Sequence, residues 1–225
     1  METDGIAIIT GVLSLPRIGH AEADDARTGV TPTAERILSL IEEADAAFAR
    51  RAQGGDAVAA AVASLSPGWS EVELSDLQRA VAAEVETGAA PKMIDETKAG
   101  DLLPRILYHA AAASVRDGEI HKAAAILAAL LHHDTHEADA LVGLAICGAR
   151  LRKFDDALVL AAECMKLPAK HPRAYCIAGF CELERGHRKV AQSHLAMAAR
   201  MARRRPEFRD DLRTAQRLLL ILHYA

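Results

Sequence analysis

The stretch ADALVGLAICGARLRKFDDALVLAAECMKLPAKH (residues 138–171) runs directly into PRAYCIAGFCELERGHRKVAQSHLAMAARMARRR (172–205), and this pair decides the fold. Written one above the other without gaps, the two segments match in pattern. The preceding 34 residues, PRILYHAAAASVRDGEIHKAAAILAALLHHDTHE (104–137), fall into the same frame. A further step of 34 reaches Pro206. Self-similarity at a fixed period of this length signals a stack of identical supersecondary units.

Matched positions hold matched residues. Position 8 is Ala111, Ala145 and Gly179, and position 20 is Ala123, Ala157 and Ala191. Small side chains at both places suit two helices that cross closely. Position 15 is Gly118, Arg152 and Gly186, where a turn between helices is expected. Large apolar residues recur at position 4 (Leu107, Leu141, Tyr175), and position 24 is Leu127, Ala161 and Leu195. Period and pattern together predict three tetratricopeptide-type (TPR) hairpins, 104–137, 138–171 and 172–205. A final amphipathic helix, 206–223, carries Phe208, Leu212, Ala215, Leu218, Leu219 and Leu222 and closes the stack, as the ends of solenoids require.

Composition agrees with an all-α TPR-type hairpin solenoid. Of 225 residues, 51% are apolar but only 4% aromatic, and Ala and Leu favour helices over sheets. Upstream, residues 1–30 read as a flexible leader and 31–100 as an N-terminal helical extension. Thr31 and Pro32 suit a helix start. Ile37, Leu38, Leu40, Ile41, Ala44 and Phe48 follow at helical spacing, and Gly54-Gly55 ends the run. Asp56 can cap a short helix to Leu65. Ser70 and Glu73 form a capping box ahead of a third helix ending near Gly88. The repeat domain spans 101–225.

Residues 1–100 hold 8 Lys+Arg against 17 Asp+Glu, and residues 101–225 hold 19 against 14. Two segments of different character are expected, the acidic one able to contact the basic one. The apolar stretch Ile6–Leu15 follows Glu2 and Asp4 rather than a basic region, and it is too short to span a bilayer. A cytoplasmic protein with no membrane association is expected. Cys147, Cys164, Cys176 and Cys181 lack CxxC spacing and read as small buried hydrophobes.

In such a stack, positions 2, 5, 9, 12 and 13 of each first helix line a concave face. These positions supply Tyr108, Ala112, Val115, Val142, Ile146, Ala149, Cys176, Phe180 and Leu183 as an apolar peptide groove. Arg105, Arg116, Arg150 and Arg173 stand at its edge. The clamp of Lys, Asn and Arg that grips acidic peptide tails is missing, since Tyr108, Ala112, Val142 and Ile146 occupy its places. The expected partner is therefore a protein client with an apolar segment, held by hydrophobic burial. On this reading Ile146→Asp or Phe180→Asp removes binding and spares the fold.

The stretches AILAALLHHDTHEADALVGLAICGARLRKFDDAL (125–158) and HPRAYCIAGFCELERGHRKVAQSHLAMAARMA (171–202) resemble the SycD/LcrH-type class II chaperones of bacterial type III secretion. The resemblance covers Leu107 to Ala202, a little under half the chain. It implies a cytosolic chaperone that takes a segment of a hydrophobic translocator or effector in its groove and keeps it soluble for export. It also implies homodimerisation through N-terminal helices. The extension here is longer than that family's. A generic TPR scaffold or regulator is the alternative.

Other chemistry is weakly represented. His132, His133 and His136 form an HHxxH cluster, but it falls in the expected loop between the first two repeats. Arg200 and Arg203–Arg205 form a basic run without interleaved aromatics, so nucleic acid is not expected. No P-loop, GxGxxG or GxSxG motif occurs, and neither a catalytic residue, a metal nor a cofactor is expected.

Overall fold

The computed structural model describes residues 34–68, 99–131, 137–168 and 171–224, with two further positions, 75 and 79. The leader 1–30, the start at Thr31–Pro32, the helix expected from Ser70 and the HHxxH cluster lie outside the described residues. Among the described residues all regular structure is helical: α1 Ala34–Gln53, α2 Ala57–Leu65, α3 Ala99–Asp117, α4 Ile120–Leu130, α5 Glu137–Arg150, α6 Phe154–Lys166, α7 Pro172–Glu184, α8 Arg188–Ala202 and α9 Arg209–Tyr224. A 3₁₀ turn, Pro206–Phe208, leads into α9.

The helices pair as hairpins whose turns repeat atom for atom. Gly118, Arg152 and Gly186, each 34 residues from the next, all take positive φ (84°, 58° and 82°). The residue after each, Glu119, Lys153 or His187, donates its N–H back to the carbonyl of Ser114, Gly148 or Glu182 at 2.8–2.9 Å. That is the six-to-one bond of a left-handed helix cap, which satisfies an otherwise orphaned carbonyl. Four residues beyond that donor, Ala123, Ala157 or Ala191 bonds back to it at 3.0 Å and starts the second helix. Gly55, with φ 83°, makes the same kind of turn between α1 and α2, and Asp56 caps α2 by accepting from the amides of Val58 and Ala59.

Burial follows the repeat as well. Ala111 and Ala145, Ala123, Ala157 and Ala191, and Leu127, Ala161 and Leu195 are all fully buried. A Cβ on Gly179 would lie 2.6 Å from Leu195 Cγ and 3.2 Å from the Ala191 carbonyl, so position 8 of the third hairpin admits no side chain as packed. A Cβ on Gly148 would stand 3.1 Å from that of Ala157, the same close crossing in the second hairpin.

The chain forms two compact units that divide after Ala140. In one, α4 packs between its hairpin partner α3 and the α1–α2 hairpin. Lys122 to Leu130 are buried on every side, which the Ala-rich sequence of α4 permits. α1 and α2, from the expected extension 31–100, share this unit with α3 and α4. His121 Nδ1 lies 2.9 Å from the Leu65 carbonyl, and Ser66 Oγ donates to Asp45 at 3.3 Å. α3 begins at Ala99 and runs through Pro104, where a helix start was expected. In the other unit, α6 packs on α7, α7 on α8, and α9 on α8 and α7. The helix expected over 206–223 is thus a 3₁₀ turn followed by α9.

Candidate functional site

The expected groove residues are best followed unit by unit. In the first unit, Tyr108 and Val115 on α3 are each 2% exposed, and Ala112 is half-buried. Arg116 is exposed at the end of α3. Nothing is described of the Arg105 side chain.

In the second unit, Val142, Ile146 and Ala149 on α5 and Cys176 and Phe180 on α7 are all buried, at 5% exposure or less. Leu183 is half-buried and Arg150 is exposed. Phe180 meets Phe154 of α6 edge to face, with centroids 6.4 Å apart, and the Arg152 guanidinium lies 5.2 Å over the Phe154 ring. Phe180 is therefore a contact between successive hairpins. Arg152 and Glu184, 3.5 Å apart, and Arg185 and Asp155, 3.1 Å apart, bracket the same contact with ion pairs.

α9 accounts for the burial of the remaining positions. Cys176 packs with Ala198, Ala199 and Ala215, flanked by Tyr175 and Leu212, and its Sγ reaches the Asp211 carbonyl at 3.6 Å. Arg173, expected at the groove edge, is 4% exposed and pairs through Nε with Asp211. The Asp211 carboxyl is pushed up by burial, against the downward pull of Arg173. Position 2 and position 5 of the third hairpin are thus covered by the chain's own last helix.

These placements change what two substitutions would report. Ile146 is fully buried and Phe180 nearly so, and an unpaired carboxylate at either site unfolds the packing around it. Neither variant separates binding from folding. Leu183 and Ala112, half-buried and apolar, are the expected groove residues that retain solvent access.

The cysteines are shielded from chemistry by their packing. All four cysteines are free and buried. Burial pushes the thiols of Cys147, Cys176 and Cys181 up to about 12, so they stay protonated at neutral pH and are poor nucleophiles or ligands. No group of His, Cys, Asp and Glu among the described residues is placed to hold a metal ion. No described helix is long and apolar enough to cross a membrane.

The surface holds an apolar feature that the sequence reading passed over. Leu220, Ile221 and Tyr224 on α9 are 57%, 36% and 79% exposed, and Val190 on α8 is 45% exposed. Within the run LLLIL at 218–222, the expected inward stripe takes Leu218, Leu219 and Leu222 and leaves Leu220 and Ile221 over. Those two with Tyr224, at i, i+1 and i+4, form a second stripe on the outer side, a signal available from helical geometry alone. No family model, curated protein or solved structure matches this chain.

Proposed function

We propose that the chain is a TPR-type protein-binding module, a chaperone that holds an apolar segment of a secreted translocator or effector before export through a type III secretion system. The observation that carries the module reading is the turn at Gly118, Arg152 and Gly186, recurring every 34 residues with the same left-handed residue and the same back-bond. Repeats of this kind offer extended surfaces for other polypeptides. The apolar client and the secretion role rest on the residues at the concave positions and on the family resemblance.

Burial narrows the route by which a client would be held. In the unit after Ala140, Leu183 is where an apolar client segment finds accessible apolar surface at the expected positions. The experiment is co-purification of the full chain with membrane-active secretion substrates, together with their level and export in cells lacking it. The expected result is a stable complex, and loss of the substrate without the chaperone. Leu183→Asp should weaken that complex while leaving helix content unchanged. Unchanged level and export of every such substrate would remove the chaperone role.

A further inference from the structure

We propose that the outer face of α9 is a homodimer interface, formed by two copies of this helix packed antiparallel. The proposal is independent of what the repeats hold.

α9 has two faces. Its inner face, Asp211, Thr214, Ala215 and Leu218, is buried in the unit. Its outer face presents Arg213, Arg217, Leu220, Ile221 and Tyr224, all exposed, within an arc of about 100° at 100° per residue. The exposed face of an amphipathic helix is expected to be polar. α9 obeys this over its first half, where Asp210, Arg213, Gln216 and Arg217 are exposed. It departs from it in the last turn and a half, where Leu220, Ile221 and Tyr224 adjoin one another. Arg188 of α8 donates to the Leu222 carbonyl at 2.7 Å, which ties that end of α9 to its neighbour.

The order of residues along this face selects a second copy as the occupant. With a two-fold axis between Leu220 and Ile221, each Leu220 meets the Ile221 of the other copy. Each Arg217 then meets the other copy's Tyr224, a cation over an aromatic face. The two Arg217 side chains stand about 10 Å apart along the helix axis, seven residues at 1.5 Å each. The antiparallel dipoles also attract. A parallel pairing would put Arg213 on Arg213 and Arg217 on Arg217, so like charge excludes it. An isologous contact of this kind closes as a dimer and does not propagate. Its small area places it among weak, concentration-dependent contacts.

Sedimentation equilibrium of the full chain, from about 1 µM to several hundred µM, tests the idea. The expected result is a monomer–dimer equilibrium, rising toward twice the 24.1 kDa chain mass. Leu220→Glu and Tyr224→Lys, which sets like charge against the other copy's Arg217, should each weaken it at least tenfold, with unchanged circular dichroism and melting temperature. Under mild oxidant, Leu220→Cys should form a covalent dimer and Arg209→Cys, at the far end of the helix, should not. The native thiols are buried and will not compete. A wild-type chain that stays monomeric throughout overturns the proposal. So does a dimer undiminished by both substitutions, or equal cross-linking at 209 and 220; the contact would then lie elsewhere or take another partner.

Discussion

Gly118 and Gly186 show what one residue decides in this chain. Both take positive φ, and a Cβ at either would meet nothing within 4 Å. Space is not the constraint there; backbone conformation is. Gly118→Ala and Gly186→Ala should each cost about 1 kcal/mol in urea unfolding, the penalty of an L-residue in the left-handed region. Arg152 carries that penalty at the equivalent place in the middle hairpin, and its contact with Phe154 offsets part of it.

His171 is the residue at which pH should act. Its Nδ1 accepts the Arg173 amide at 3.1 Å and so caps α7, and its ring meets Phe208 edge to face at 4.9 Å. Burial, with Arg173 and Arg205 nearby, pulls its pKa from 6.5 down to about 4. The unfolded chain therefore binds the extra proton between these values, so stability falls as pH drops from about 6.5 toward 4. The loss is on the order of 2 kcal/mol, allowing for partial exposure. Asp45 works in the opposite sense, since burial raises it from 3.8 to about 6 despite the Ser66 hydrogen bond, and its contribution is lost as pH rises through 6. Comparison with His171→Asn isolates the histidine. Asparagine keeps a capping oxygen and does not titrate, so urea midpoints at pH 7 and pH 4.5 should differ less in the variant.

At the scale of elements, α9 docks on α7 through a buried ion pair. The Arg173–Asp211 pair is buried on both sides, at 5% and 3% side-chain exposure. Removing Asp211 takes from the buried Arg173 the carboxylate to which its Nε donates. Asp211→Ala should cost about 3–5 kcal/mol in urea unfolding, whereas the double replacement Arg173→Met, Asp211→Leu should be close to neutral. The surface pairs Lys166–Glu163 and Arg205–Glu207 are exposed and should matter far less. α4 makes the complementary point. It is apolar almost throughout, and it is stable because neighbours cover all its sides rather than one stripe.

For the molecule as a whole, the question is whether the repeat face is surface or core. Ile146→Asp should abolish cooperative unfolding or lower its midpoint sharply, because it places a charge at a fully buried site. Leu183→Asp should be tolerated, because its site keeps contact with solvent. Circular dichroism and thermal melts of both variants check this. Equal tolerance would mean that Ile146 has more access to water than its packing indicates.

Much of this was legible in the sequence because it is local. Turn chemistry at 54–55, 118 and 186, the Asp56 cap and the close crossing at positions 8 and 20 are all settled within one hairpin. The 34-residue recurrence placed even the non-glycine turn at Arg152. Other features depend on which neighbour arrives. Helical periodicity says that a stripe of Tyr108, Ile146 or Phe180 must leave water, but not whether a client or the chain itself removes it. Only the packing showed that α9 covers Arg173 and Cys176, that Phe180 rests on Phe154, and that α1 and α2 enclose α4. The same packing turned half of the LLLIL run outward. The physical reason is that burial belongs to pairs of surfaces, and a single sequence pattern specifies only one member of each pair.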